Sequence, residues 1–67
     1  MDNARIFAKH ATHNDAGFKF GDRLVHMPSG TSGIVLAVSA DKVCWKPDSR
    51  IKRGGIWIEN SRFRYDV

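Results

Sequence analysis

The stretch from Phe20 to Val38 constrains the fold most, because two short apolar runs flank a connection rich in glycine and proline. The runs are Leu24 to Met27 and Ile34 to Val38, and the connection is residues 28–33. Glycine reaches positive φ and proline fixes φ, so these residues favour a turn. The second run is rich in β-branched residues, which favour strands. The stretch therefore predicts two antiparallel strands joined by a turn.

Further short strands are predicted after this pair. Ser39 to Lys42 is a predicted hairpin turn, and the strands that follow are predicted at residues 43–46, 56–58 and 62–67. Glu59 to Ser61 is expected to form a tight turn, such as one 3₁₀ turn. Short strands at roughly ten-residue spacing, separated by turn signals, are typical of an all-β barrel or sandwich. A barrel is favoured because it removes exposed sheet edges in a small chain.

The chain of 67 residues allows one small domain. We predict a barrel over residues 18–67, preceded by an N-terminal arm or short helix over residues 1–17. Phe7 and Ala11 have helical i, i+4 spacing, but a helix of about ten residues is marginal alone. The segment either packs on the barrel through Ile6 and Phe7 or forms a mobile arm, which we favour.

Apolar residues that alternate along the strands make up the predicted core. They are Phe20, Leu24, Ile34, Leu36, Val38, Val43, Trp45, Ile56, Ile58 and Phe63. Because side chains alternate between faces, an error of one residue in the register of a strand would place the neighbouring residues in the core instead. Trp57 points outward if Ile56 and Ile58 point inward. The sequence is also compatible with the opposite orientation, in which Trp57 points inward. His26 is expected to face solvent.

A resemblance is carried by Gly21 to Val25 (GDRLV), by Ser29-Gly30, by Gly33 to Val35 and by Asp41 to Val43. These residues resemble the GD-x-V … G-x-x-G-x-V opening of KOW and Tudor-type domains, over less than half of the chain. The resemblance implies a small five-stranded SH3-like barrel. Such domains mostly bind RNA, DNA, ribosomal or polymerase surfaces, or peptides, so the resemblance implies a binding module.

The same opening resembles the plasmid-encoded type II dihydrofolate reductases, which are also SH3-like. That family lines a tetramer pore with a Val-Gln-Ile-Tyr segment on a later strand. The comparable segment here is Gly55 to Glu59, with the sequence GIWIE. The glutamine and tyrosine are absent, which argues against reductase activity.

Positive charge is concentrated in the second half of the chain. The net charge is +4, and residues 42–64 carry seven Lys and Arg against two Asp and Glu. Such a surplus favours an anionic partner, although a solvated surface is an equally simple interpretation. Nucleic-acid binding needs cations for phosphates and planar groups for base stacking. The predicted binding residues are Lys46, Arg50, Lys52, Arg53, Trp57, Arg62 and Arg64.

Two functional hypotheses follow from these residues. The first is a basic module that binds the RNA or DNA backbone through the basic loop and an exposed aromatic ring. The second is a protein-interaction adaptor, such as a phage- or mobile-element-encoded regulator or inhibitor of a larger machine, in which Ile6 and Phe7 join the same face. Salt-sensitive nucleic-acid affinity would favour the first hypothesis. The oligomeric state stays open, and a homo-oligomer is possible.

No combination of residues indicates catalysis. Cys44 lies between Lys42 and Lys46 at i±2, which could lower a thiol pKa, but no histidine or acid is close in sequence. The Ser29 to Gly33 segment lacks the spacing of a phosphate-binding loop. We predict a non-enzyme without a cofactor.

Metal binding and membrane insertion are not predicted either. His10 and His13 could join Asp15 or Cys44 at a zinc ion, but a structural site needs four closely spaced ligands, so surface histidines are expected. No segment approaches the roughly 20 apolar residues that span a bilayer. With a single cysteine there is no intramolecular disulfide, and we predict a soluble, cytoplasmic protein.

Overall fold

The computed structural model describes residues 13–49 and 54–67. Within these ranges the fold is all-β, with five antiparallel strands in a curled half-barrel consistent with a small SH3-like barrel. The elements are β1 (Arg23–His26), β2 (Thr31–Val38), β3 (Lys42–Pro47), β4 (Ile56–Glu59), the 3₁₀ turn η1 (Asn60–Arg62) and β5 (Phe63–Tyr65). The predicted fold class is confirmed. The predicted helix or arm falls mostly on residues 1–12, which lie outside the described residues.

The sheet has the strand order β4-β3-β2-β1-β5. The first four strands follow one another as a meander, and η1 then returns the chain so that β5 pairs with β1. Leu24 of β1 lies opposite Gly33 on one side and Tyr65 on the other. Because β4 and β5 stand at the two ends of the strand order, they are the two edges of the sheet.

The core lies on one face of the sheet, which we call the inner face. Its buried apolar residues are Phe18, Leu24, Val35, Val43, Trp45 and Phe63, with Val38 and Ile58 packed against them. Leu24, Val43, Trp45 and Phe63 were predicted. Trp45 keeps its polar group satisfied, because its Nε1–H donates to the Leu24 carbonyl at 3.1 Å.

The prediction for β2 is wrong in part, since Val35 is the fully buried residue and Ile34 and Leu36 are half-buried outside the core. Gly33 faces the core because a Cβ there would lie 2.7 Å from the Trp45 ring. A β-bulge between Val35 and Ala37 then restores the inward direction at Val38. Bulges break the simple alternation on which the prediction depended.

The core position assigned to Phe20 is also wrong, because 74% of Phe20 is exposed. Phe18 takes the place, and its ring packs edge-on against Phe63 and Tyr65 at centroid distances of 6.5 and 5.2 Å. The chain turns at Phe20 and Gly21, where Gly21 has a φ of 89°. A positive φ is open to glycine, so the turn forms here and Phe20 points into solvent.

Two further predictions on side-chain position are corrected. Ile56 lies on the inner face opposite Trp45 but remains 38% exposed, because β4 is an edge and no described strand lies beyond it. His26 does not face solvent. It is half-buried on the inner face, with its ring centroid 5.5 Å from that of Trp45 and 5.6 Å from that of Phe63.

Asn14 is a buried polar residue that attaches the start of the described chain to the sheet. Its Nδ2 donates to the Ser39 carbonyl at 2.7 Å and to Asn60 Oδ1 at 2.9 Å. Its Oδ1 accepts from the backbone N–H groups of Ala16 at 3.0 Å and Phe18 at 3.2 Å. Both ends of the amide are therefore satisfied, and Phe18 is held where it can enter the core.

Candidate binding surface on the outer face of the sheet

The exposed tryptophan is Trp57 on β4, which is 52% exposed. It lies opposite Cys44 in the β3–β4 pair. Directly opposed residues of an antiparallel pair project to the same face, and successive residues project to opposite faces. Trp57 therefore lies on the face opposite to the core, which we call the outer face. Of the two orientations that the sequence left open, the outward one is observed.

Two lysines of β3 share this face with Trp57. Lys42 and Lys46 each stand two residues from Cys44, and Lys42 lies opposite Glu59. We refer to Lys42, Cys44, Lys46, Trp57 and Glu59 together as the β3–β4 surface. It places one aromatic ring beside two cations and one carboxylate on a regular sheet.

Gly55 allows a close approach of the chain to β3 just before β4 begins. A Cβ at Gly55 would lie 2.9 Å from Cys44 Sγ and 3.0 Å from the Trp45 carbonyl oxygen, so a side chain does not fit without movement. The backbone of β4 consequently approaches β3 closely just before Trp57. The side chains of Cys44 and Leu36 occupy the space that a side chain at this position would need.

The other predicted binding residues fall at three places. Arg50, Lys52 and Arg53 belong to the β3–β4 connection, in the part that lies outside the described residues. Arg62 lies in η1, with its Nε 3.6 Å from Glu59 Oε2. Arg64 lies on β5, the edge strand opposite to β4. Lys46 and Trp57 are thus brought together, whereas Arg64 is placed across the sheet from them.

Another cation of the outer face, Arg23, is paired with carboxylates. Its guanidinium donates two hydrogen bonds to Asp48, at 2.8 and 2.6 Å, and lies 3.9 Å from Asp66. The hydrogen bond from Arg23 lowers the pKa of the Asp48 carboxyl, and nearby Lys46 lowers it further. The same hydrogen bond raises the pKa of Arg23. Arg23 therefore links β1 to Asp48, which follows β3.

The other residues that the sequence raised as chemical candidates have ordinary surroundings. Cys44 is a half-buried free thiol. His13 Nε2 lies 3.2 Å from Asp15 Oδ1, and His10 lies outside the described residues. Within residues 13–49 and 54–67, no three His, Cys, Asp or Glu side chains are grouped as metal ligands would be. In the Ser29 segment, Ser29 Oγ lies 2.8 Å from His26 Nδ1, within a turn that leads into β2.

Sequence reasoning missed several exposed apolar side chains. Phe20, Met27, Ile56 and Tyr65 are all exposed. Two of them had a signal in the sequence: Phe20 precedes a glycine, and Met27 precedes a proline, so each stands where a strand cannot continue. The exposure of Ile56 depends on strand order, for which the sequence held no signal.

No protein-family model, curated protein or solved structure matches the chain. Across the described part of the chain, no helix is long and apolar enough to cross a membrane. Function therefore has to be inferred from the chemistry of the β3–β4 surface itself.

Proposed function

We propose that this chain is a small, non-catalytic module that binds single-stranded nucleic acid, RNA or DNA, through the β3–β4 surface. One observation carries the proposal: Trp57 is exposed on the same face as Lys42 and Lys46. The KOW- and Tudor-like opening supports a binding module as well. A cytoplasmic location is proposed with it, because Cys44 is the only cysteine and no intramolecular disulfide is possible.

The exposed ring of Trp57 favours single strands over duplexes. Bases in a duplex are already stacked on one another, whereas unpaired bases can stack on an aromatic side chain. Each such contact contributes about 1–3 kcal/mol and tolerates any base, since every base has a flat face. About half of Trp57, 52%, is exposed and is available to a base. We therefore expect binding with little sequence preference.

The cations around Trp57 would contact the phosphates on either side of the stacked base. Lys46 and Lys42 stand on the strand next to Trp57, and Arg62 follows β4 in η1. Arg50, Lys52 and Arg53 in the β3–β4 connection are proposed to add further phosphate contacts, and Arg64 would act only on a strand that reaches the β5 edge. Phosphate contacts release counterions, so affinity should fall steeply with salt.

Fluorescence anisotropy of labelled short oligo-dT and oligo-U, at about 50 and about 200 mM salt, tests this proposal. We expect micromolar affinity that weakens steeply with salt and exceeds the affinity for a duplex. Trp57→Ala should weaken binding roughly 5- to 150-fold, the equivalent of one lost stacking contact. Lys46→Ala should also make the slope of log affinity against log salt concentration shallower, by the amount expected for about one phosphate contact.

The matched control is Lys19→Ala, which removes the same charge outside the β3–β4 surface. Lys19 is exposed, and its Nζ lies 3.2 Å from Asp22 Oδ1. Its replacement should leave oligonucleotide affinity nearly unchanged. Absence of wild-type binding at the lower salt, or equal losses in Trp57→Ala and Lys19→Ala, would overturn the proposal.

A second candidate function, a protein-interaction adaptor, is favoured by Phe20, which is 74% exposed. An aromatic side chain so far in solvent and outside the β3–β4 surface suits an apolar pocket of a partner protein better than a nucleic acid. Phe20→Ala should then abolish partner binding. Retention of full oligonucleotide affinity by the same variant would show that the two surfaces are separate.

A further inference from the structure

The β4 edge leaves two consecutive apolar side chains exposed on opposite faces of the sheet. Ile56 lies on the inner face and is 38% exposed, and Trp57 lies on the outer face and is 52% exposed. A ligand that covers one face can cover only one of them. A strand that lies along the edge would cover both. The exposed feature is therefore the edge itself.

The sequence of β4 also lacks several of the features that keep edge strands from pairing. Protected edges are usually very short, bulged, or carry proline or charged residues, especially lysine, and of these features β4 has only its four-residue length and Glu59. β4 has the sequence Ile-Trp-Ile-Glu, and its pairing with β3 shows no register shift. Its backbone groups on the side away from β3 have no described strand to pair with. This edge is therefore competent to accept another strand.

We propose that β4 pairs antiparallel with β4 of a second copy of this chain, in the register that places Trp57 opposite Trp57. A two-fold axis perpendicular to the sheet keeps the inner faces of both copies on one side. Opposed residues must then share a face. Only registers that pair odd-numbered residues of one β4 with odd-numbered residues of the other, and even-numbered with even-numbered, meet this requirement. Centring on Trp57 meets this condition and pairs each Ile56 with Ile58 of the second copy.

The charges on the outer face are complementary in this register. Gly55 comes opposite Glu59 of the second copy, and Lys46 is next to Gly55 in the same row because Trp45 pairs with Ile56. Glu59 of one copy would then lie between Lys42 of the same copy and Lys46 of the other copy. Gly55 has no side chain to separate them. Opposite charges on neighbouring strands stabilise pairing, and like charges destabilise it.

The interface is small, so the dimer should be weak and concentration-dependent. Stable dimers usually bury about 800 Å² per partner, more than a four-residue strand with two exposed apolar side chains provides. Pairing would join the two outer faces, so that both Trp57 rings and both Lys46 side chains lie on one surface. The dimer itself requires no nucleic acid.

Sedimentation velocity of the protein alone, from about 10 μM to about 1 mM, measures this association. We expect the mean mass to rise toward twice the monomer mass. Trp57→Lys would place two like charges opposite each other and should weaken the dimer at least tenfold. Met27→Lys adds the same charge at another exposed apolar side chain and should have no effect. A monomer at every concentration, or equal effects of the two variants, would overturn the proposal.

The register is tested by NMR on a sample that mixes labelled and unlabelled chains. Intermolecular contacts between the methyl groups of Ile56 and Ile58 are expected, and contacts through Tyr65 instead would overturn the proposal. In a Cys44→Ser background, Trp57→Cys should form a covalent dimer on mild oxidation, whereas Met27→Cys should not. Neither experiment contains an oligonucleotide, so failure here would leave the nucleic-acid proposal standing.

Discussion

The two edges of the sheet are built in opposite ways. β5 is three residues long and contains the buried Phe63, which has an arginine on either side in the sequence. Backbone bonds beyond it, from Met27 N–H to the Arg62 carbonyl at 2.8 Å and from Asp66 N–H to the Arg23 carbonyl at 3.0 Å, extend its attachment. β4 pairs with β3 alone and leaves Ile56 and Trp57 exposed. In this fold one edge closes the core, and the other leaves apolar side chains exposed.

The contrast follows from what each strand gives to the core. The Phe63 ring packs against Trp45 at 5.2 Å, His26 at 5.6 Å and Phe18 at 6.5 Å, so β5 is held by side chains from several elements. β4 contributes Ile58, which packs only at the margin of the core. A strand with few buried contacts opens at little cost, and such segments are where binding sites are often found.

The comparison is tested most strongly by truncating one core-facing residue at each edge. Phe63→Ala should lower the free energy of unfolding by about 3–5 kcal/mol, whereas Ile56→Ala should cost less than about 1.5 kcal/mol because Ile56 is already partly in water. Urea denaturation, monitored at a protein concentration low enough to avoid association, measures both. Similar losses at the two positions would contradict the distinction between a closing edge and an open one.

The junction between the edges is tested by Asn14→Ala. Asn14 holds η1, which connects β4 to β5, through its hydrogen bond to Asn60. The substitution leaves the Ser39 carbonyl and the Phe18 N–H without their partner, and should cost about 1–3 kcal/mol. Asn60→Ala serves as the comparison, and we expect a smaller loss since its Nδ2 donates to the exposed Ala40. A loss below about 0.5 kcal/mol for Asn14→Ala would contradict this role.

Hydrogen exchange compares the edges without any substitution. At low protein concentration the amides of β4 should exchange several-fold faster than those of β1, which is paired on both sides. If β4 pairs with a second copy, its exchange should slow as concentration rises, while exchange at β5 should stay constant. Faster exchange at β5 than at β4 would reverse the comparison.

The smallest expected effect concerns the ion pair that links β1 to the end of β3. Arg23 lowers the pKa of Asp48 in the folded chain, so the pair stabilises the fold above the unfolded pKa of about 4. This contribution is lost as pH falls through the folded pKa. Asp48→Asn should therefore lower the melting temperature slightly at pH 7 and have less effect near pH 2. If the difference in melting temperature between Asp48→Asn and the wild type were the same at both pH values, the pair would add no stability.

Much of the fold could be predicted from the sequence, because alternation and turn residues are local signals. The turn before β2, the hairpin at Ser39 and the burial of Leu24, Val43 and Trp45 all follow from such signals. The errors arise where a non-local contact overrides them. Gly33, which closely approaches Trp45, and Val35 face the core in place of Ile34 and Leu36, and the bulge after Val35 places Val38 on the inner face as well.

The candidate site was less predictable than the fold. The alternation of β4 left the direction of Trp57 open, since either face could have been the inner one. Lys46 could be placed beside Trp57 only once β3 and β4 were known to pair. Arg64 is close to Trp57 in sequence but lies at the opposite edge, because β5 returns to pair with β1. Strand order cannot be obtained from local patterns.

The most direct test of the division between the edges is a map of NMR amide shifts during titration with short oligo-dT. We expect the largest shifts at the Trp57 backbone and indole, at Gly55 and at Lys46, with Tyr65 and the rest of β5 unchanged. Shifts concentrated on β5, or no shifts at saturating oligonucleotide, would contradict the assignment of binding to the β4 edge.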